Sequence, residues 1–276
     1  MTIKTVWAVY YSATGSTGRT VREMAAAAAQ ALCLPVRELN YTRPEARERH
    51  YAFEESDLIF WGSPTYAGRL PNVLLPFLKG SFCGGGAAAV AVVLYGNRNY
   101  DDALKELCEV LTENGFIPVA AAAQVAEHAF APTLAHGRPD REDRAAAADF
   151  ARRTALTLQG TDRPRAVSVP GREPIGGYYT PRKPDGTPAR FLKAKPQTDR
   201  EKCTGCGLCA ERCPMGSVMH EEPWECRGIC IKCQACIKGC PVGAKRFDDA
   251  DFLAHRKMLE QSCTARQENE FYPPEP

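Results

Sequence analysis

The chain has 276 residues, of which 44% are hydrophobic and 25% charged, and its 35 Lys and Arg against 33 Asp and Glu give a net charge of +2. This near-neutral balance gives no support to nucleic acid or an anionic membrane as a general partner. The longest apolar run, residues 82–95, is interrupted by glycines and is shorter than the roughly 20 residues that span a bilayer. Because the N-terminus also lacks a signal-peptide pattern, we expect a cytoplasmic protein.

Residues 1–160 alternate between strand-like and helix-like patterns. The predicted strands are residues 3–11, 34–39, 57–61, 87–95 and 116–123. The predicted helices are residues 19–32, 70–79, 100–114 and 141–158. Pro35 marks the second strand as an edge strand, because proline cannot donate a hydrogen bond to a neighbour. Strands that alternate with helices predict an α/β domain whose parallel sheet is covered on both faces.

The pattern changes after residue 160. Residues 161–202 contain seven prolines and four glycines, and ten Lys and Arg outnumber five Asp and Glu. Two interpretations remain open for this stretch: a proline-rich basic linker, assigned to 161–198, that wraps a domain surface, or a basic strip that docks an acidic redox partner. A cysteine-rich domain is predicted at 199–248, and a polar tail with one possible helix (251–261) at 249–276.

The cysteine-rich domain contains an internal repeat. Its first copy places cysteines at 203, 206, 209 and 213, and its second at 230, 233, 236 and 240, and a proline follows the last cysteine of each copy. This Cys-x2-Cys-x2-Cys-x3-Cys-Pro run is typical of bacterial [4Fe–4S] sites, in which the fourth cysteine binds the other cluster. The predicted ligands are Cys203, Cys206, Cys209 and Cys240 for cluster A, and Cys230, Cys233, Cys236 and Cys213 for cluster B.

Zinc is the alternative metal, since paired cysteines also bind zinc. Zinc has no need for a third cysteine at the same spacing or for the Cys-Pro ending, so the repeat favours iron–sulfur clusters. Over residues 199–248 it resembles two-cluster bacterial ferredoxins. Cys226 and Cys263 stand outside the motif, and we interpret both as ordinary thiols, although Cys226 lies only four residues before Cys230.

The loop after the first strand has the composition of a phosphate site. Residues 12–17 read Ser-Ala-Thr-Gly-Ser-Thr and lie directly before the first predicted helix. Hydroxyl groups and backbone N–H groups at a helix N-terminus bind phosphate. The same residue types also cap helices without any ligand, so the loop alone leaves both interpretations open.

Two further loops are expected at the same end of the sheet, where doubly wound folds bind their ligands. Residues 62–68 (GSPTYAG) follow the third predicted strand, and residues 95–101 (YGNRNYD) follow the fourth. Each loop carries an aromatic side chain that can stack on a flat ring. Small polar residues beside it can bond the ring edge.

With these three loops, residues 1–160 resemble a flavodoxin, and the chain resembles the flavodoxin–ferredoxin fusion proteins of anaerobic bacteria and archaea over about residues 1–250. The resemblance implies a doubly wound five-stranded parallel sheet of order 2-1-3-4-5, a small α+β ferredoxin domain, flavin mononucleotide (FMN) and two [4Fe–4S] clusters. It implies that Ser12, Thr14, Gly15, Ser16 and Thr17 hold the FMN phosphate. The residues that it places around the flavin ring are Ser63, Pro64, Thr65, Tyr66, Gly68, Gly96, Asn97, Arg98 and Tyr100.

No catalytic residues are predicted, because the sequence contains no serine-hydrolase elbow, zinc-protease motif or evident triad. Glu127 and His128 follow the fifth strand and either touch the flavin edge or belong to a solvated loop, while the other histidines form no visible cluster. We therefore favour an electron carrier that links FMN and the clusters to a ferredoxin, an oxidoreductase or a radical enzyme. Its alternatives are an FMN-dependent reductase of a small organic substrate, edged by His128, Tyr66 or Arg98, and a redox sensor.

Overall fold

The computed structural model describes residues 2–275. Its strands are β1 (Thr5–Tyr10), β2 (Val36–Asn40), β3 (Tyr51–Ala52), β4 (Asp57–Pro64), β5 (Phe82–Cys83), β6 (Ala88–Tyr95), β7 (Ile117–Val125), β8 (Gln197–Thr198), β9 (Lys245–Arg246) and β10 (Glu270–Tyr272). Its helices are α1 (Ser16–Leu32), α2 (Leu75–Gly80), α3 (Ala103–Glu113), α4 (Arg141–Gln159), α5 (Leu208–Glu211), α6 (Ala235–Lys238) and α7 (Ala250–Ser262).

The main sheet contains five parallel strands in the spatial order β2-β1-β4-β6-β7. Counted along the chain, these strands have the order 2-1-3-4-5, which is the flavodoxin-like doubly wound arrangement. The strand β2, which follows Pro35, lies at one edge of the sheet, as its proline predicts. The central strand β6 is buried along its whole length, as expected for a strand that helices cover on both faces.

The helices pack on the two faces of this sheet. On one face, Val21 and Met24 of α1 and Phe150 of α4 are buried against the strands. On the other face, Leu104 and Leu107 of α3 are buried together with residues of α2. Both faces are therefore closed, and the carboxyl ends of the strands remain as the place where loops gather.

The sheet has a sixth strand that the sequence analysis missed. The strand β10 pairs antiparallel with β7, and Phe271 lies opposite Ala122. The ring of Phe271 also packs on Phe150 of α4, with their centroids 5.0 Å apart. The five predicted parallel strands are therefore joined by a sixth, antiparallel strand, because the last residues of the polar tail return to the N-terminal domain.

The segment between α4 and β8 lies along the surface of the N-terminal domain. The N–H of Val167 donates to the Pro118 carbonyl at 2.8 Å, and the Arg172 guanidinium pairs with Asp102 at 2.8 Å. Farther along, the N–H of Tyr179 donates to the Ala67 carbonyl at 2.8 Å. These bonds attach the proline-rich segment to the domain on which it lies.

The cysteine-rich part combines short helices with a small sheet. The strands β8 and β9 pair antiparallel, and α5 and α6 follow corresponding cysteines of the two repeat copies. Ion pairing joins this part to the N-terminal domain, because the Lys238 ammonium lies 2.8 Å from the Glu127 carboxylate. The Arg47 guanidinium also donates to the Pro214 carbonyl. Among residues 2–275, no helix has both the length and the apolar character required to cross a membrane.

Candidate cofactor sites

The loop between β1 and α1 is held in shape by its own polar groups. The N–H of Ser12 donates to the Thr42 hydroxyl at 2.7 Å, and the Ser12 hydroxyl accepts from the N–H of Gly18 at 3.0 Å. Gly15 has a φ of +94°, a left-handed conformation that glycine adopts without strain. Ser12 and Gly15 therefore shape the loop, and neither lines the cavity beside it.

The hydroxyl-bearing residues Thr14, Ser16 and Thr17 do line that cavity. The N-cap residue Gly15 has no side chain to cap α1, the Ser12 hydroxyl takes only the N–H of Gly18, and the first turn contains no acidic residue. The first N–H groups of a helix have no partner within the helix, and the helix dipole favours an anion there. The loop thus presents hydroxyl and N–H donors together, which is the donor set that a phosphate requires.

The loop after β4 supplies one wall of the cavity through Pro64, Thr65 and Tyr66. The Thr65 hydroxyl is buried and has no hydrogen-bond partner among the described residues. An unpartnered buried hydroxyl costs free energy, which a ligand that bonds it would recover. Ser63 and Gly68 lie outside the cavity lining, and a Cβ on Gly68 would collide with the Asp101 carboxylate.

The loop after β6 contributes Gly96 and Arg98 to the cavity, but not Asn97 or Tyr100. The Asn97 amide donates to the carbonyl oxygens of Cys263 and Ala265, at 2.7 Å and 2.9 Å. The Tyr100 hydroxyl donates to the Glu270 carboxylate at 2.8 Å. These two predicted flavin residues therefore hold the C-terminal tail against the domain.

The predicted phosphate and ring loops thus meet at one cavity of about 240 Å³. A fourth loop, which contains His128, also lines it, and so do residues from beyond the N-terminal domain. The distant contributors include Tyr179, Phe191, Lys232, Cys233, His255 and Leu259. The cavity is therefore enclosed by the proline-rich segment, the cysteine repeat and α7 as well as by the flavodoxin-like loops.

The histidines were incompletely predicted. His128 is half-buried in the loop after β7 and lines the cavity, and burial, reinforced by repulsion from His255, lowers its pKa to about 3. His255 lines the same cavity, and burial lowers its pKa as well. Because these two positions lie 127 residues apart in the sequence, no local motif connects them.

The eight repeat cysteines form two groups around separate cavities. One cavity is lined by Cys203, Cys206, Cys209 and Cys240. The other is lined by Cys213, Cys230, Cys233 and Cys236, together with Cys226. Each group takes its fourth repeat cysteine from the other copy, which is the grouping predicted for clusters A and B.

The backbone repeats in the same way. Gly205 and Gly207 flank Cys206 with φ values of +71° and +74°, and Lys232 and Gln234 flank Cys233 with φ values of +55° and +67°. The second copy thus keeps the left-handed turns without glycine, at some cost in backbone strain. Conformations that persist against such a cost indicate that the surrounding structure requires this loop shape.

Backbone N–H groups also point at corresponding sulfurs. Ser217 donates to Cys213 at 3.3 Å, and Ala244 donates to Cys240 at 3.2 Å. Burial opposes ionisation of Cys240, but N–H groups of the following turn hold its pKa below the ordinary value. Since the thiolate is the form that binds metal, these bonds favour ligation.

Cys226 lies beside the second group. A hydrogen bond from Cys226 lowers the pKa of the Cys230 thiol to about 6, and the same bond raises the pKa of Cys226. The two thiols therefore share one proton, which favours one thiolate in this pair. Among residues 2–275, no three His, Cys, Asp or Glu side chains are arranged to hold a single metal ion.

Comparison with known proteins agrees with these features. Residues 196–218 and residues 227–243 each match the family described as a 4Fe-4S binding domain. No curated protein matches the chain.

Among solved structures, the chain is similar to a flavodoxin from the domain Archaea (16% identity, TM-score 0.41), over 57% of this chain and 99% of that one. It is similar to the rubredoxin oxygen:oxidoreductase of Desulfovibrio gigas (17% identity, TM-score 0.38), over 57% of this chain and 37% of that one. It is also similar to an azoreductase from Bacillus anthracis (14% identity, TM-score 0.36), over 56% of this chain and 100% of that one.

The chain therefore combines a flavodoxin-like sheet with two 4Fe-4S binding motifs. The residues present fit both kinds of cofactor. A phosphate donor set and an unpartnered buried hydroxyl lie in one cavity, and two groups of repeat cysteines surround two others.

Proposed function

We propose that this protein transfers electrons between FMN and two [4Fe–4S] clusters, and between the clusters and an external redox protein. The observation that carries the proposal is the position of Cys233, which lines both the cavity of the flavodoxin-like loops and the cavity of the second cysteine group. FMN exchanges one or two electrons and each cluster exchanges one. A protein that holds both cofactors therefore connects two-electron with one-electron chemistry.

The chain's own residues support a route for this transfer. Tyr66 lies at the boundary, because it lines the first cavity and its raised pKa reflects burial first and then the nearby Tyr11 and Cys233. At the far cavity, Cys206 is exposed. We therefore assign cluster B to exchange with the flavin and cluster A to exchange with the external partner, in the order FMN, cluster B, cluster A, partner.

Cofactor content tests the first part of the proposal. Protein isolated without oxygen should contain FMN and, for two four-iron clusters, about eight irons and eight acid-labile sulfides. Cys206→Ser should chiefly damage cluster A, and Cys233→Ser cluster B, measured by iron content and electron paramagnetic resonance. Stoichiometric zinc without sulfide would exclude the iron–sulfur function.

The phosphate loop is tested separately. Replacing Thr14 and Thr17 by Val removes two hydroxyls and keeps the β-branched shape, including the Thr17 methyl group that packs near Gly62. At roughly 0.5–1.5 kcal/mol for each hydrogen bond, and more for a charged acceptor, FMN affinity should fall about ten- to a few-hundred-fold. Wild-type protein that retains no FMN after anaerobic loading and desalting would show that the fold lacks the cofactor.

The alternative function, reduction of a small organic substrate, is favoured by one observation. Aromatic and histidine side chains from the proline-rich segment and α7 line the same cavity as the flavodoxin-like loops. These residues are the basis of the inference that follows.

A further inference from the structure

Part of the cavity wall comes from segments outside the doubly wound sheet, and we call this part the roof: Tyr179 and Phe191 of the proline-rich segment, and His255 and Leu259 of α7. The Arg98 guanidinium lies 4.1 Å from the centroid of the Tyr179 ring. The Phe191 ring stacks on His255, with their centroids 5.6 Å apart and an interplanar angle of 26°. The roof is therefore a packed aromatic surface held in a fixed position.

The two cavity histidines have opposite hydrogen-bonding roles. The Nδ1 of His128 accepts from the N–H groups of Phe130 and Ala131, at 3.4 Å and 3.3 Å, so the ring carries its proton on Nε2. The Nδ1 of His255 lies 2.9 Å from the Arg182 carbonyl, which can only accept, so this ring keeps a free lone pair on Nε2. Neither Nε2 has a hydrogen-bond partner among residues 2–275. The pair thus offers one donor and one acceptor.

The cations around this cavity already have partners. Arg98 pairs with Asp101, and Lys238 pairs with Glu127 at 2.8 Å. The Lys232 ammonium donates to the carbonyl oxygens of Leu192 and Cys230. Among the described residues, therefore, neither these cations nor the neutral histidines form an anion site beneath the roof.

From these observations we propose that the roof, together with His128 and Phe130, binds a flat, uncharged, conjugated carbonyl compound in the cavity of the proposed flavin site. Aromatic walls favour a flat ring. The Nε2–H of His128 matches a carbonyl oxygen, and the Nε2 of His255 matches an N–H or O–H of the same ligand. This inference rests on the proposed function, because it places the ligand in the cavity that the FMN loops share.

Benzamide is a suitable probe, since it is flat and neutral and carries one carbonyl acceptor and an N–H donor group. Benzoate keeps the shape but is charged and lacks the donor, and cyclohexanecarboxamide keeps the amide but is not flat. The FMN-loaded, cluster-containing protein is titrated anaerobically with each compound. Binding is followed by calorimetry and by the change in flavin absorption.

Benzamide should bind at least tenfold more tightly than either control compound. His255→Leu removes the acceptor and should weaken benzamide binding about three- to tenfold, the equivalent of one hydrogen bond. Phe191→Leu removes an aromatic wall and provides a second, independent test if His255→Leu fails to fold. His136→Leu is the matched control, because that ring is 82% exposed and lies outside the cavity lining.

Equal binding of the three compounds, or benzamide binding that survives both roof variants unchanged, would overturn the proposal and leave the roof as a simple cover. FMN content and the rate at which the clusters reduce the flavin are measured in the same samples. A wild-type protein that contains no FMN, or whose clusters do not reduce the flavin, would contradict the proposed function. Their retention without selective benzamide binding would contradict only the ligand site.

Discussion

At the residue scale, the cysteine spacing indicates the same two groups of thiols that line the two cavities, because the spacing limits which sulfurs one loop can direct inward. Both predicted sets surround their own cavities. Spacing does not reveal the position of Cys226, which depends on the short bridge between Val218 and Cys226 in the fold. That bridge brings a fifth thiol to one of two otherwise matching sites.

We expect Cys226 to raise the reduction potential of cluster B. Hydrogen bonds to cluster sulfurs stabilise the more negative, reduced form. Because the Cys226 thiol lies beside Cys230 at the same cavity and can donate to its sulfur, Cys226→Ala should lower the potential of cluster B by about 20–40 mV, the equivalent of roughly 0.5–1 kcal/mol for one electron. Spectroscopic redox titration measures this shift.

The same titration provides its controls. Cys226→Ser keeps a donor and should restore most of the potential, whereas Cys263→Ala removes the other thiol outside the repeat and should change neither cluster. An equal shift of clusters A and B in Cys226→Ala would contradict a local effect.

His128 should make the protein less stable in mild acid. Its folded pKa of about 3 lies below the ordinary value of 6.5, so the unfolded chain binds a proton below pH 6.5 that the folded chain does not. Stability from this group therefore falls as the pH drops from 6.5 towards 3, by up to about 1.4 kcal/mol for each pH unit. His128→Gln removes this dependence.

Thermal unfolding at pH 7.5 and pH 5.5 measures the effect. Between pH 7.5 and pH 5.5, the melting temperature of the wild type should fall more than that of His128→Gln. The exposed-ring variant His136→Gln should behave as the wild type. If all three proteins lose the same amount, the pH dependence comes from other groups.

At the element scale, the sequence predicted the strands and helices of the N-terminal sheet because each has a regular local pattern. It failed for β10, whose three residues carry no readable periodicity and whose stability depends on distant partners. The Asn269 amide donates to Asp143 at 2.8 Å and accepts from the N–H of Val125 at 2.8 Å. The Arg138 guanidinium adds a bond of 2.6 Å to the Gln267 carbonyl.

Asn269→Ala should therefore release β10 from the sheet edge. The change leaves the buried N–H of Val125 without a partner and removes one of the bonds to Asp143, which keeps its pairing with Arg138, at a cost of roughly 1–3 kcal/mol. Amide hydrogen exchange of residues 268–275 should become about tenfold faster or more, measured by mass spectrometry. Gln261→Ala, on the exposed side of α7, is the control, and equal exchange in the two variants would show that Asn269 does not anchor the tail.

At the scale of the whole molecule, the meeting of the loops after β1, β4 and β6 was predictable because parallel strands direct their carboxyl ends to one edge. The roof was not, because Tyr179, Phe191 and His255 reach the cavity only after the proline-rich segment has crossed the domain. For Tyr100 and Asn97, the sequence indicated the loop but not the partners of the side chains. Their loop position was correctly predicted, but the returning tail engages their side chains.

The cysteine repeat is attached to the flavodoxin-like domain, and this attachment bears on whether electrons pass between the two within one molecule. With Cys233 at the flavin cavity, we expect the clusters of one molecule to reduce the flavin of that molecule. After reduction of the clusters with dithionite, the rate of flavin reduction should not depend on protein concentration. A covalent connection of this kind corresponds to a local concentration on the order of millimolar.

A protease site introduced at the exposed turn around Gly186 allows the chain to be cut between the flavodoxin-like domain and the cysteine repeat. The cut replaces no residue that lines a cavity. The halves then remain associated only through noncovalent contacts, chiefly the pairing of β10 with β7 and the ion pair between Lys238 and Glu127. Dilution far enough to dissociate the two noncovalently associated halves should therefore slow flavin reduction in the cleaved protein but not in the uncleaved protein measured beside it. If the uncleaved protein also reacts at a rate proportional to its concentration, electrons cross between molecules. The flavin of one molecule is then reduced by the clusters of another.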